Sequence, residues 1–277
     1  MTHNIPAELL RRTVHILVVG CGGNGSAITA GLPYLHQALL VHGHPGGLEV
    51  TLMDGETVSP TNCVRQPFGQ AEIGHSKAVI LVSRLNLFWN LNWHAVPHHL
   101  CSQTSLDRVD IVIGCVDNRA ARKSIAGKVM GQRSAVFYWL DLGNHATGGQ
   151  FVLGQPWNWM NRRSATRLRT VAEIFPELTD PSLDNDEQPS CSAVEALERQ
   201  EPFVNPTLAN HALALLARLF RHGVITYHGA FVNVADNRVQ PIAVDPNVWR
   251  ALRRRGRSRG ARVVSSQRPA SGALAPE

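Results

Sequence analysis

His15-Ile16-Leu17-Val18-Val19-Gly20-Cys21-Gly22-Gly23-Asn24-Gly25-Ser26 is an apolar run that ends in a glycine-rich turn and passes into a helical pattern. Glycine allows so tight a turn and lets backbone approach phosphate, and the helix that follows presents unpaired N–H groups and a positive dipole end. A second strand, Leu48 to Met53, ends on Asp54, in the position where an acidic residue usually binds ribose hydroxyls. Asp54 lies 29 residues past Gly25, against a usual interval of roughly 20. The excess fits an insertion around Leu35 to Gly47, rich in His and Gly.

The residues after Asp54 narrow the choice of nucleotide. Asn62, Arg65 and Gln66, then Lys77, place two cations and two amides just beyond the ribose-side strand. A dinucleotide oxidoreductase has no evident use for them. Triphosphate chemistry does, because Arg and Lys neutralise the charge that develops on a leaving pyrophosphate. A third buried-type strand, Val109 to Val116, ends on Asp117-Asn118 and is followed by Arg119 and Arg122, so Asp117 is a candidate magnesium ligand at the carboxyl end of a sheet.

In these elements, taken in order, the chain resembles the ThiF/MoeB/E1 (HesA) family of ATP-dependent activating enzymes. The Gly20, Gly22, Gly23, Asn24, Gly25 loop, Asp54, Asn62-x-x-Arg65-Gln66, Lys77 and Val116-Asp117-Asn118 carry the likeness, strongly over about residues 10 to 150 and in outline to about 245. Among subgroups the short chain looks most like the ThiF-type member of PRTRC plasmid-associated gene systems. The resemblance implies adenylation of the C-terminal carboxylate of a ubiquitin-like or sulfur-carrier protein, giving an acyl adenylate and pyrophosphate. Arg65 and Lys77 would then hold the phosphates, Asn62 and Gln66 orient loop and triphosphate, Asp54 bind ribose, and Asp117, beside Asn118, hold magnesium.

The same likeness implies a homodimer in which an arginine before the first strand, Arg11 or Arg12, reaches into the partner's site. It also makes Cys191, in Asp184-Asn-Asp-Glu-Gln-Pro-Ser-Cys191, the candidate thioester cysteine. Many relatives bind structural zinc through two C-x-x-C pairs. The five cysteines of this chain form no such pair, and no zinc is expected.

Two other function classes remain open on the residues alone. An NAD- or FAD-dependent oxidoreductase would use the glycine loop and Asp54 but leave Arg65, Lys77 and Asp117 unexplained. A non-catalytic ATP-binding adaptor of a plasmid-borne system would bind nucleotide and transfer nothing.

With 277 residues and 44% hydrophobic content the chain can bury one large core. The expected organisation is an N-terminal arm over 1–14, an adenylation-type domain over 15–248 with an irregular insertion at about 156–203, and a disordered Arg-rich tail over 249–277. Alternating strands and helices predict a Rossmann-like, doubly wound, mostly parallel α/β sheet. The two runs that flank Asp236-Asn237 predict a closing antiparallel hairpin. The net charge is +6, and without the eight arginines from Arg250 onward the remainder would be about neutral, so nucleic acid could be touched only through that tail. No segment reads as a membrane span or leader, so a cytoplasmic protein is expected.

Overall fold

A computed structural model describes residues 1–164, 166–184 and 201–254. In chain order its strands are His3–Asn4 (β1), Val14–Val19 (β2), Leu48–Met53 (β3), His94–Val96 (β4), Ile111–Gly114 (β5), Tyr138–His145 (β6), Gly148–Gly154 (β7), Val224–Ile225 (β8), Tyr227–Asn233 (β9) and Arg238–Ala243 (β10). The helices that matter here are Gly23–Val41 (α1), Asn62–Arg65 (α2), Lys77–Trp89 (α3), Arg119–Val129 (α4), Val171–Ile174 (α5) and Val204–His222 (α6).

The eight-stranded sheet has the order β10-β9-β7-β6-β5-β2-β3-β4. Strands β6, β5, β2, β3 and β4 are parallel, and β7, β9 and β10 complete the sheet antiparallel. Parallel strands covered on both faces need apolar side chains on both. Val14–Val19 and Ile111–Gly114 supply them, with every residue but His15 buried. Alternation along the strands divides the core in two. Ile16, Val18, Val50, Ile111 and Ile113 pack with Ile28, Leu32, Leu208 and Leu216 of α1 and α6. Leu17, Val19, Val112 and Trp139 pack on the other face with Ile125 and Val129 of α4 and Ile174 of α5. Helices thus cover both faces, as the alternating pattern requires.

From β2 the chain moves outward to β3 and β4, then returns to β2's other side for β5 and β6. The loops leaving β2 and β5 therefore diverge and leave a crevice at the carboxyl ends of the strands, the place where open α/β sheets bind ligands.

Several boundaries differ from expectation. Helix α1 begins at Gly23 rather than Ser26, and it runs to Val41. Much of the extra length before Asp54 is therefore helix, anchored by buried Leu35 and Leu39. Strand β4 is only His94–Val96, because Asn90, in the left-handed region at φ 53°, first ends α3. Within 156–203, α5 is followed by short 3₁₀ turns at Pro176–Thr179 and Pro181–Leu183. Residues 246–254 are helical, and Val248, Trp249 and Leu252 pack on the α4 face of the sheet. This helix crosses the boundary expected at 248, and residues 255–277 lie outside the described residues. Among the described residues no helix is long and apolar enough to cross a membrane.

Candidate nucleotide site

The glycine loop crosses the crevice between β2 and α1, and its glycines have different jobs. Gly20 has φ +93°, and a Cβ there would sit 2.8 Å from the Cys115 carbonyl oxygen at the end of β5. A Cβ on Gly25 would lie 1.8 Å from the Gly20 carbonyl oxygen, so the turn closes on itself only without a side chain. On Gly23 it would strike the amide of Asn205 at 2.1 Å. Gly22 is different, because a Cβ there would find only Gln66 Nε2 at 4.0 Å. Gly20 and Gly25 shape the turn, while Gly22 borders open space.

No side chain caps the N-terminus of α1, so the amides that open the helix are left to face an anion. Close by, Asn24 is buried and its Oδ1 has no hydrogen-bond partner among the described residues, and the same holds for Gln66 Oε1. Buried polar atoms without partners are uncommon. The pair, together with the open face of Gly22, fits a bound polar ligand such as a nucleotide.

Asp54, at the end of β3, is buried and braces two segments. Its Oδ2 accepts from Cys21 N at 2.5 Å, and its Oδ1 accepts from Glu56 N at 2.7 Å. The carboxylate thus joins the glycine loop to the turn after β3, and its remaining lone pairs are what ribose hydroxyls could use.

The backbone from Glu56 to Val58 is bonded to the turn before α3. Val58 N donates to His75 O at 2.9 Å, Lys77 N donates to Glu56 O at 3.1 Å, and Thr57 bridges Ser76. Ser76 caps α3, which leaves Lys77 as its first residue. The Lys77 side chain is 4% exposed, and its ammonium lies 2.5 Å from Glu56 Oε2. Asn62 is buried at the start of α2, where its Oδ1 accepts from Ser59 N at 2.9 Å and fixes the turn that delivers Arg65 and Gln66.

Asp117 and Asn118 follow β5 at the same end of the sheet, both exposed. Asn118 Oδ1 caps α4 by accepting from Ala121 N at 2.7 Å, and its Nδ2 donates to Asp117 Oδ1 at 3.1 Å. Among the described residues no group of three or more His, Cys, Asp or Glu side chains gathers. A cation at Asp117 would take its other oxygens from ligand and water, which suits magnesium.

Some predicted residues lie elsewhere. Arg12 is at the opposite, amino end of the strands, where its guanidinium makes a bidentate pair with Asp110 at 2.8 and 2.6 Å. Arg11 is exposed beside it. Neither belongs to the crevice of its own chain. Cys191 lies outside the described residues. Cys21 and Cys115 are buried thiols, and burial, reinforced by Asp54 and by Asp141 respectively, holds both well above the usual thiol range. Neither is a ready thiolate.

Sequence reading missed four residues. Asp141 accepts Arg122 Nε at 3.0 Å on both carboxylate oxygens beneath the loop after β5. Asp184 accepts the backbone N–H groups of Arg119 at 2.9 Å and Ala120 at 3.0 Å at the N-terminus of α4. Asn205, bonded to Asn144 Nδ2 at 2.5 Å, rests against the loop at Gly23. Glu56 is the fourth. None belongs to a local motif, although the three acids could have been found by asking which carboxylate answers each buried arginine, lysine or helix start.

Fold and crevice together define a Rossmann-like α/β protein with its glycine loop at the strand switch point. The sequence model of the ThiF family matches residues 7–158, more than half of the chain, and the chain belongs to that family. Members of the family are generally E1-like, ATP-dependent adenylyltransferases that bind ATP and magnesium and work with ubiquitin-like or sulfur-carrier proteins. The solved structure of selenomethionine PaaA is similar, with a TM-score of 0.56 at 12% identity over 84% of this chain and 73% of that one. At that identity the likeness bears on the fold alone. No curated protein matches the sequence.

Proposed function

We propose that this protein binds Mg-ATP in the β2–β5 crevice and adenylates the C-terminal carboxylate of a ubiquitin-like or sulfur-carrier protein, releasing pyrophosphate. The carboxylate oxygen bonds to the α-phosphorus as the bond to the pyrophosphate oxygen breaks. Two anions must meet, so catalysis is positioning and charge neutralisation rather than proton transfer. Lys77 and Arg65 carry the phosphate charge, and the uncapped start of α1 receives a phosphate against Gly22. Gln66 and Asn62 orient the α2 turn, Asp54 takes the ribose, and Asp117 with the triphosphate oxygens holds magnesium.

The observation that carries this reading is Lys77. A buried ammonium at the positive end of the α3 dipole is costly without an anion, and the carboxylate that meets it, Glu56, is exposed enough for an incoming phosphate to take its place. Transfer from adenylate to Cys191, and reach of Arg11 or Arg12 into a partner's crevice within a homodimer, are parts of the proposal that extend beyond this site.

Calorimetric titration with Mg-ATP and separately with NAD, on the wild type and on Lys77→Ala, tests it. Mg-ATP binding weakened at least ~10-fold by the substitution is expected, as for loss of one charge-assisted contact. NAD binding indifferent to Lys77 would replace this reading with an oxidoreductase.

A further inference from the structure

Lys77 cannot be left without a counter-charge. Its side chain is 4% exposed and it opens α3, where the helix dipole is positive. The charge is met by Glu56, whose own side chain is 58% exposed. The two backbones are tied together, Lys77 N to Glu56 O at 3.1 Å, with Glu56 N held by Asp54 at 2.7 Å. Any change of partner must therefore be made by side chains alone. The lysine is walled in and the glutamate borders water, so the glutamate is the one free to leave.

Resting on the function proposed above, we propose that Glu56 is a built-in counter-ion that competes with polyphosphate for Lys77. It neutralises the ammonium in the empty crevice and swings to solvent when a triphosphate arrives, and it recaptures the lysine as pyrophosphate leaves. No covalent bond changes in this exchange. One carboxylate on the ammonium is replaced by phosphate oxygens of greater total charge, so the exchange favours ligands with several anionic groups over those with few or none. Glu56 is thus a positioning and specificity-determining residue rather than a catalytic one.

Glu56→Gln separates this role from simple scaffolding, because loss of the carboxylate should destabilise the empty protein yet tighten anion binding. Inorganic tripolyphosphate, Mg-ATP and adenosine are titrated calorimetrically into wild type, Glu56→Gln and Glu56→Gln/Lys77→Met. Tripolyphosphate and Mg-ATP are expected to bind ~10-fold tighter to Glu56→Gln, the worth of one charge-assisted contact no longer displaced. Adenosine should be unchanged, and the gain should vanish in the double variant. Unchanged or weaker tripolyphosphate binding would overturn the proposal, as would equal tightening of adenosine.

If Glu56→Gln does not fold, Glu56→Asp withdraws the charge by one methylene. A gain of at least ~3-fold for tripolyphosphate is then required, about half of a charge-assisted contact on a logarithmic scale. Anything less overturns the proposal. A tripolyphosphate gain in a protein that shows no preference for ATP over tripolyphosphate would uphold the role of Glu56 and sink the nucleotide reading instead.

Discussion

Arg122 Nε stands 3.0 Å from both carboxylate oxygens of Asp141, with the two side chains 5% and 0% exposed. The same guanidinium donates from Nη2 to the Val116 carbonyl at 3.0 Å. One ion pair therefore ties α4 to β6 and steadies the turn that presents Asp117. Removing one partner strands the other charge in the core, and Arg122→Ala or Asp141→Ala should each cost about 3–5 kcal/mol, measured by urea denaturation. Replacing both with apolar side chains of similar volume should cost clearly less than either single change.

The glycines of the loop should separate under substitution. Gly25→Ala puts a methyl group 1.8 Å from the Gly20 carbonyl oxygen and Gly20→Ala puts one 2.8 Å from Cys115 O at φ +93°, so both should lower the melting temperature sharply. Gly22→Ala meets nothing nearer than 4.0 Å. It should leave stability within about 1 kcal/mol of wild type, near the Gly-to-Ala scale of a helix start, and still weaken Mg-ATP binding. Thermal melts beside calorimetry decide this.

His228 gives the protein an acid-sensitive element. It is fully buried, its Nδ1 is 2.7 Å from Leu153 O, and burial holds it down at about 4 against an ordinary 6.5, with His3 adding to the effect. As pH falls the unfolded chain takes up the proton first. This contribution is complete above about 6.5 and is lost progressively down to about 4, a total of about 3 kcal/mol. Asp141 works the other way, because burial raises its carboxyl to about 6 despite Arg122. The folded state keeps that proton better and gains stability as pH falls through 6 towards 3.8. The His228 effect is therefore read as wild type minus His228→Phe, melted between pH 7 and pH 4.5, and the difference should shrink with acid.

Asp184 caps α4 from 65 residues away by accepting from Arg119 N and Ala120 N, and Arg119 Nη1 donates to Leu183 O at 2.6 Å. Asp184→Ala should cost ~1 kcal/mol, the usual worth of a helix cap. It should also speed proteolysis near 180–184, while Asp184→Asn keeps part of both. Limited proteolysis followed by mass spectrometry would show equal cleavage if the contact were idle.

The sequence made much of this legible because the deciding signals were local. The run of apolar residues into Gly20–Gly25, the strand ending on Asp54 and the strand ending before Asp117 each lie within one short window, and the fold places all of them at one end of the sheet. The partners of those residues were not legible. Asp141, Asp184 and Glu56 answer Arg122, the start of α4 and Lys77 across separations of 19, 65 and 21 residues, and nothing in their neighbours marks them. Arg12 is a different case, because its position before β2 makes it a candidate finger for a partner's site, while within its own chain it pairs with Asp110 at the amino end of the strands, a partner 98 residues away.

The first strand has a consequence for how the chain is made. His3 aligns with Ile225 in the β1–β8 pair, and its ring bonds the Tyr138 hydroxyl at 2.6 Å. At the usual pace of synthesis, about 5–20 residues per second, β1 waits roughly ten to forty seconds for β8 to follow it. Strand β1 is thus made long before it can be paired, and a ribosome stalled before residue 225 would hold a nascent chain whose sheet is largely translated but in which β1 still lacks its partner strand.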